Sequence, residues 1–335
     1  MWVCGALAVL AASISAAVSI GAVPVPLSTV WGVVLDRLLP GLLTPDWPVG
    51  HAAIVWEIRL PRALLAALVG AGLALVGAVL QAVTRNPLAD PHLLGISSGA
   101  AFGAILALLH TGMFLGFATV PILAFLGALG ATALVLSVAS FAQATSADRL
   151  VLTGVAVSFI VMALANVLIF LGDPRAAHTV VFWMLGGLGL AQWAHLIWPA
   201  VILLGAGCWF RAVAGSLNAM TIGDETATTL GIAVARFRLT VFVVAALVTG
   251  VMVAFSGVIG FVGLMIPHIV RLLTGGDNAR VLPASMALGA VFLVWADVVA
   301  RTLLRPEDMP IGIVTGLIGG VFFIWLLRHR RGIRS

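Results

Sequence analysis

Long apolar runs recur through the sequence, and they restrict the chain to a small set of membrane folds. The run from Ala63 to Val83 contains only glycines and Gln81 besides apolar residues. A helix needs about 20 such residues to cross roughly 30 Å of hydrocarbon. The whole sequence is 62% hydrophobic and only 9% charged, with a mean hydropathy of +1.20. These values lie far from those of soluble globular proteins and predict an all-α polytopic membrane protein.

The runs predict about ten transmembrane helices in one membrane domain that covers residues 1–335. Their approximate ranges are 2–20, 63–83, 93–110, 117–141, 150–171, 193–210, 239–257, 264–273, 281–300 and 311–327. An even number of spans places both termini on one side of the membrane. Eleven of the arginines fall on that side and six on the other, so the positive-inside rule predicts cytoplasmic termini.

Two shorter segments do not fit a span. Residues 27–39 are bounded by prolines and predict an amphipathic helix that lies on the membrane surface. Residues 176–190 are too short to cross the bilayer and too apolar for a free loop. They predict a short half-inserted helix that ends at Gly186 and Gly187.

A polar segment, residues 212–238, is too long for a simple turn and predicts an enlarged cytoplasmic loop. Asp224 and the threonines after it are suited to begin a short helix, because acids and hydroxyls favour a helix N-terminus. Gly231 is suited to end that helix.

Glycines at spacings of four residues predict close helix packing. Gly99 and Gly103 share one helix face, and Gly312, Gly316 and Gly320 share another. Packing within the chain and contact with a second copy of it both remain open for these faces.

Several function classes are excluded by what the sequence lacks. It contains no lysine, so it has no Walker A loop and any ATP hydrolysis belongs to another chain. Cys4 and Cys208 lie in apolar runs without metal-ligand spacing. The arginines are scattered among apolar runs and form no nucleic-acid stripe. Without a catalytic constellation the chain is not expected to be an enzyme, and we expect neither a metal site nor a permanently bound cofactor.

The stretch from residue 58 to residue 103 carries a long motif. RLPR at residues 59–62 is followed by an apolar helix that ends near Gln81, and then by RNPLADPHLLGISSGA at residues 85–100. This pattern resembles the core of the FecCD-type permeases, the membrane subunits of binding-protein-dependent ABC importers for iron chelates, haem and vitamin B12. The resemblance extends from about residue 50 to residue 328.

The resemblance implies a type II ABC importer permease fold in the bacterial inner membrane. It also implies the partners: a second copy of the chain, two ATP-binding cassette subunits that use ATP, and a periplasmic substrate-binding protein. Cargo would pass through a cavity between the two copies. Nucleic acid is not expected as a partner, whereas the lipid bilayer is.

Site residues follow from the matching positions. The stretch GDETATTLGI resembles the family's coupling helices and predicts contact with the ATPase through Gly223, Asp224, Glu225, Ala227, Leu230 and Gly231. Thr228 stands where the family often has a basic residue, which removes one electrostatic contact.

The resemblance also predicts that Arg59, Arg62 and Arg301 receive acidic residues of the binding protein, for which arginine's planar fork is suited. Two other interpretations remain open. The arginines can extend to the membrane interface, or Arg301 can pair with Asp297 four residues earlier.

A cytoplasmic gate is predicted at Asn86, Leu88, Ser146 and Asp148. Asn86 alternatively only caps the turn before Pro87, and Asp148 departs from the small hydroxyl residues that the family usually has there.

The cargo is predicted less directly. His178 is the histidine best placed to contact cargo, since histidine is a usual ligand of haem iron. We expect haem or another iron chelate, with cobalamin as the alternative. An ion-driven secondary transporter remains the alternative class, and Asp297 would then be its ion site.

Overall fold

The structure is a computed structural model that describes residues 2–41, 44–91, 95–141, 147–304 and 307–331. The regular secondary structure in these ranges is helical. The α-helices, numbered in chain order, are α1 Trp2–Ser19, α2 Leu27–Leu38, α3 Val49–Ala53, α4 Leu60–Thr84, α5 Ile96–Leu106, α6 Thr119–Phe141, α7 Ala147–Leu171, α8 Ala177–Met184, α9 Trp193–Ala212, α10 Ala214–Ile222, α11 Asp224–Thr229, α12 Val234–Ser256, α13 Val262–Thr274, α14 Asn278–Ala300 and α15 Ile311–Arg331.

Six helical segments in the described ranges are long and apolar enough to cross a membrane. They are Val49–Thr84, Gly116–Phe141, Arg149–Leu171, Trp193–Ala212, Val234–Ser256 and Asn278–Ala300. Four shorter apolar helices, Gly5–Ser19, Ile96–Thr111, Val262–Thr274 and Ile311–Leu326, lie where the remaining predicted spans were placed. Because these fall short of the usual spanning length of about 20 residues, ten spans remain a prediction, as does the side of the termini.

Helix α4 lies at the centre of the helix assembly. Nearly all of its residues from Ala63 to Thr84 are buried, and it packs against α14, α12, α13 and α9. A helix that is apolar all round has no face that needs water, which suits it to this central position.

Glycines allow the backbones of neighbouring helices to come into direct contact with α4. A methyl group on Gly70 would overlap the carbonyl oxygen of Gly289 in α14, and one on Gly77 would overlap that of Gly263, in α13. Since lipid is as apolar as the side chains, close packing rather than exclusion of water stabilises such contacts. The glycines therefore set how tightly the centre packs.

Glycines allow equally close contact between α5 and α6. A methyl group on Gly99 would overlap the Gly127 carbonyl oxygen, and one on Gly103 would overlap that of Leu123. The close packing predicted for Gly99 and Gly103 is thus formed within the chain. On α15 the outcome is divided: a methyl group on Gly312 would overlap the carbonyl oxygen of Leu185, whereas Gly316 and Gly320 face open space.

Two short helices occupy the segments that the sequence excluded from spanning. Helix α2 buries Val30 and Val33, whereas Trp31 and Leu35 on its other face are exposed. Helix α8 ends at Met184, just before Gly186 with φ +77°. A helix over the predicted segment and the glycine end of α8 agree with the prediction, whereas the placement of α2 on the membrane surface stays a prediction.

The end of α8 joins α12 and α15 through backbone hydrogen bonds. Gly187 N–H donates to the Ser256 carbonyl at 2.8 Å, and Ile311 N–H donates to the Gly186 carbonyl at 3.0 Å. The last residue of α12 and the first of α15 therefore meet at one short segment.

We expect Gly77→Ala to destabilise the protein by about 1–3 kcal/mol, since the methyl group would force α13 away from α4. Thermal unfolding of the purified protein in detergent measures this loss. Gly205→Ala on α9 is the matched control, because nothing lies within 4 Å of its added methyl group. A Gly77→Ala melting temperature equal to that of the control would contradict the packing argument.

Candidate functional site

The central helix has polar residues at both ends, and α14 runs antiparallel beside it. Arg62 at the start of α4 pairs with Asp297 near the end of α14, with Nε 2.8 Å from Oδ1. Arg85, directly after α4, lies 3.6 Å from Asp224. The 25 residues of α4 separate these two places by about 37 Å at 1.5 Å per residue. We call them the Asp297 end and the Asp224 end.

At the Asp297 end, one carboxylate lies between two arginines. Asp297 is 2% exposed, and its second oxygen lies 3.2 Å from Nε of Arg301. Arg62 also binds Asp308, whose side chain is 40% exposed. The pairing of Asp297 with Arg301 across four residues, left open by the sequence, is therefore formed. Each ion has a counter-ion, which is what a buried charge requires.

Arg59 and Arg301 also cap the C-terminal end of α1. Arg59 Nη1 donates to the Val18 carbonyl at 2.9 Å, and Arg301 Nη1 donates to that of Ile20 at 2.7 Å. The last carbonyls of a helix have no partner inside it and carry partial negative charge. Gly21 leaves room for the guanidinium group of Arg59.

The structure thus brings the three predicted docking arginines together, but it gives each a partner within the chain. Arg59 and Arg301 are only 7% and 8% exposed. Contact with a binding protein remains a prediction for all three, and Arg62 shares its surface with the exposed Asp308.

At the Asp224 end, the predicted loop 212–238 contains two short helices, α10 and α11, joined at Gly223. Helix α11 begins at Asp224, and Gly231, with φ +82°, follows its end. The start and end predicted from the sequence are both correct. Of the residues predicted to contact an ATPase, Ala227 is buried and holds α11 in place, and Glu225 is exposed.

Two large apolar side chains at the Asp224 end are exposed. Ile222 at the end of α10 is 71% exposed, and Leu230 just after α11 is 65% exposed. Both residues lie between the candidate spans Trp193–Ala212 and Val234–Ser256 rather than within one. Exposed apolar residues on a polar frame are typical of a protein–protein contact.

Asp224 joins α11 to two other elements. Nη2 of Arg238, on α12, donates to both of its carboxylate oxygens at 2.8 Å, and Arg238 is only 3% exposed. Arg85 approaches the same carboxylate from the end of α4. The sequence predicts Asp224 as a site residue but neither arginine, since nothing in the local pattern shows which acid an arginine meets.

Asn218 joins α10 to the start of α14. Its side-chain amide donates to Asp277 at 2.8 Å, and its Oδ1 accepts from the backbone N–H of Asn278 at 2.8 Å. The hydrogen bonds that Asp277 accepts from Asn218 and from the Ala279 N–H hold the pKa of that carboxyl below its usual range. Sequence reasoning missed this contact as well.

The predicted gate is described only in part. Asn86 Oδ1 accepts the backbone N–H of Leu88 at 2.9 Å, which is the turn cap considered from the sequence, and Leu88 is 56% exposed. Ser146 lies outside the described residues, as does the side chain of Asp148. The gate therefore remains a prediction.

His178, the predicted cargo contact, is exposed on α8 at the Asp297 end. Its ring stacks on Phe182 with centroids 6.4 Å apart. Within the described ranges, no three histidine, cysteine or acidic side chains gather in a way that could hold a metal ion.

Buried apolar helices packed through glycine, with ion pairs near both ends of the central helix, are typical of a helical membrane protein. The model of the FecCD transport family matches residues 8–329. The chain belongs to this family and is an ABC transporter permease.

Relatives of the chain are named as transport subunits. The hemin transport system permease protein HmuU of Yersinia pestis is 38% identical, over 84% of this chain and 85% of the relative. The vitamin B12 import system permease protein BtuC of Klebsiella pneumoniae is 42% identical, over 83% of each chain. A solved structure described as an inward-facing conformation of a putative metal-chelate type ABC transporter aligns with a TM-score of 0.83 and 32% identity, over 98% of both chains.

Asp297→Asn should destabilise the protein by about 3–5 kcal/mol, because it leaves Arg62 and Arg301 buried without their shared counter-ion. Thermal unfolding in detergent measures the loss. Asp308→Asn is the control, since its exposed pair contributes no more than about 1 kcal/mol. Equal losses in the two variants would show that Asp297 is not the centre of the cluster.

Proposed function

We propose that the chain is the permease subunit of an importer for haem or another iron chelate in the bacterial inner membrane. Two copies form the path, two separate ATPase subunits supply energy, and a periplasmic binding protein delivers the cargo. The observation that carries the proposal is the family match over residues 8–329. ATP is bound by the partner, and the permease needs no resident cofactor.

The cargo class is supported by the relatives. Haemin and vitamin B12, in the names of the two relatives, are both metal ions held in a large planar macrocycle. His178, exposed on α8, favours haem over cobalamin as the first candidate, because imidazole is a usual ligand of haem iron.

The ATPase contact is assigned to the Asp224 end. Ile222 and Leu230 offer apolar surface there, while Ala227 and Asn218 fix the helices that carry them. A rigid frame with exposed apolar side chains loses little conformational entropy on binding, which favours a stable contact.

The binding-protein contact is assigned to the Asp297 end. Arg62 is the arginine through which a carboxylate from outside can act, since Asp308 beside it is 40% exposed. A carboxylate from the binding protein would take the place of Asp308 on Arg62, while Arg59 and Arg301 keep the end of α1 fixed.

An ion-driven carrier finds less support. Such a carrier needs an ionisable group inside the membrane that can exchange its ion. Both oxygens of Asp297 already bind arginines, at 2.8 Å and 3.2 Å.

The test of function is cargo-stimulated ATP hydrolysis. The chain is reconstituted in liposomes with its candidate ATPase and binding protein, and haem, a ferric siderophore or cobalamin is added in turn. We expect haem or the siderophore to stimulate hydrolysis. Stimulation by cobalamin alone would reverse the cargo assignment. Solute uptake by the chain alone under an ion gradient would overturn the importer proposal.

Leu230→Glu should reduce co-purification of the ATPase at least tenfold, because a charge would replace apolar surface in the contact. Leu115→Glu serves as the control, since Leu115 is 50% exposed but lies in the turn after α5, at the opposite end of the molecule. Pull-down of the tagged ATPase measures both variants. Retention of the ATPase by Leu230→Glu would place the contact elsewhere.

A further inference from the structure

Arg85 has a backbone conformation that its residue type seldom adopts. Its φ is +53° and its ψ is +26°, directly after the last residue of α4. Helices often end on a residue in this left-handed region, but that residue is usually glycine because a side chain is strained there. Unlike glycine, an arginine at this position carries a side chain that makes a contact.

That contact is with the joint between α10 and α11. Nη2 of Arg85 lies 3.6 Å from Asp224 Oδ1. Its Nη1 lies 3.8 Å from where a methyl group on Gly223 would be, so the guanidinium group covers the residue that joins the two helices. Asp224 is held from its other side by Arg238 of α12. One carboxylate of α11 is therefore hydrogen-bonded to α12 and ion-paired with the residue that ends α4.

The backbone of Arg85 continues directly into the turn Asn86–Leu88. That turn is closed by the bond from the Leu88 N–H to Asn86 Oδ1, and Leu88 is exposed. The start of the turn is therefore set by the buried helix α4 and by the ion pair with Asp224. Displacement of α11 relative to α4 therefore acts on this pair, and through it on the left-handed residue that begins the turn.

We propose that Arg85 is a positioning residue that transmits displacement of α11 to the turn Asn86–Leu88 through its ion pair with Asp224. This rests on the proposed function in one respect, namely that the ATPase displaces α11. The physical connection itself is a property of the chain alone and is testable without any partner.

The first experiment measures the distance between α11 and the turn. Spin labels are attached to Thr228→Cys and Leu88→Cys in a Cys4→Ser, Cys208→Ser background, and the labelled chain is diluted with unlabelled chain to remove distances between copies. We expect Arg85→Ala to widen the distance distribution at least twofold. Arg236→Ala, an exposed arginine on α12, is the matched control and should leave the width unchanged.

A second variant separates the contact from the backbone strain. Arg85→Gly removes the guanidinium group but adopts the left-handed conformation without strain, so it should widen the distribution as much as Arg85→Ala does. In an Asp224→Asn background, Arg85→Ala should add no further widening, since both variants remove the same pair. A narrow distribution in Arg85→Gly, or additive widening, would overturn the proposal.

The functional experiment uses the complete transporter. Arg85→Gly should still co-purify with the ATPase, because Ile222 and Leu230 remain, but cargo transport per ATP hydrolysed should fall at least tenfold. Unchanged transport per ATP would overturn the role of Arg85. If Leu230→Glu also retained the ATPase, the proposed contact surface would be wrong, while the distance measurements would still decide whether Arg85 links α11 to the turn.

Discussion

The rest of this structure depends on close backbone contact around α4. Gly70 and Gly77 allow α14 and α13 to approach the central helix as closely as main chains permit. In a membrane, where apolar side chains gain little by leaving lipid, this closeness is what stabilises association through dispersion and weak polar contacts. A central helix packed in this way bends or shifts only at a high cost in free energy. It therefore fixes where its two ends lie.

Gln81, a polar side chain deep within the helix assembly, is bound by several partners. Gln81 of α4 donates to the carbonyl of Gly263 at 3.1 Å and accepts from Arg271 of α13. Arg271 in turn donates to the Ala78 carbonyl at 2.9 Å. These bonds join α4 to α13 just beyond their glycine contact. Asp297 is bound by Arg62 and Arg301 in the same manner at the other end.

The two ends differ in what they leave accessible. At the Asp297 end, Arg59 and Arg301 are buried and donate to the last carbonyls of α1. Asp308, which pairs with Arg62, is exposed. At the Asp224 end, charged groups hold short helices in place, and two large apolar side chains, Ile222 and Leu230, are exposed beside them. A stiff centre with different surfaces at its ends suits a subunit that receives cargo on one face and energy on the other.

Local features of the sequence determined much of the fold. The spans predicted at 117–141 and 150–171 match Gly116–Phe141 and Arg149–Leu171, because apolar length and polar punctuation are properties of neighbouring residues. For the same reason Asp224 and Gly231 bounded a helix that could be predicted. The motif between Arg59 and Ala100 was long enough to show the family.

Only the tertiary structure decided which residues meet. An arginine beside an apolar run looks the same in sequence whether it caps α1, as Arg59 does, or holds a distant acid, as Arg85 does. The partners lie far apart along the chain, and only helix directions and packing bring them together. Glycine spacing likewise predicted helix faces suited to close packing. It could not show that Gly99 packs against α6 whereas a methyl group on Gly316 would meet no described neighbour within 4 Å. Contacts between distant segments depend on the whole arrangement of helices, and no local pattern encodes that arrangement.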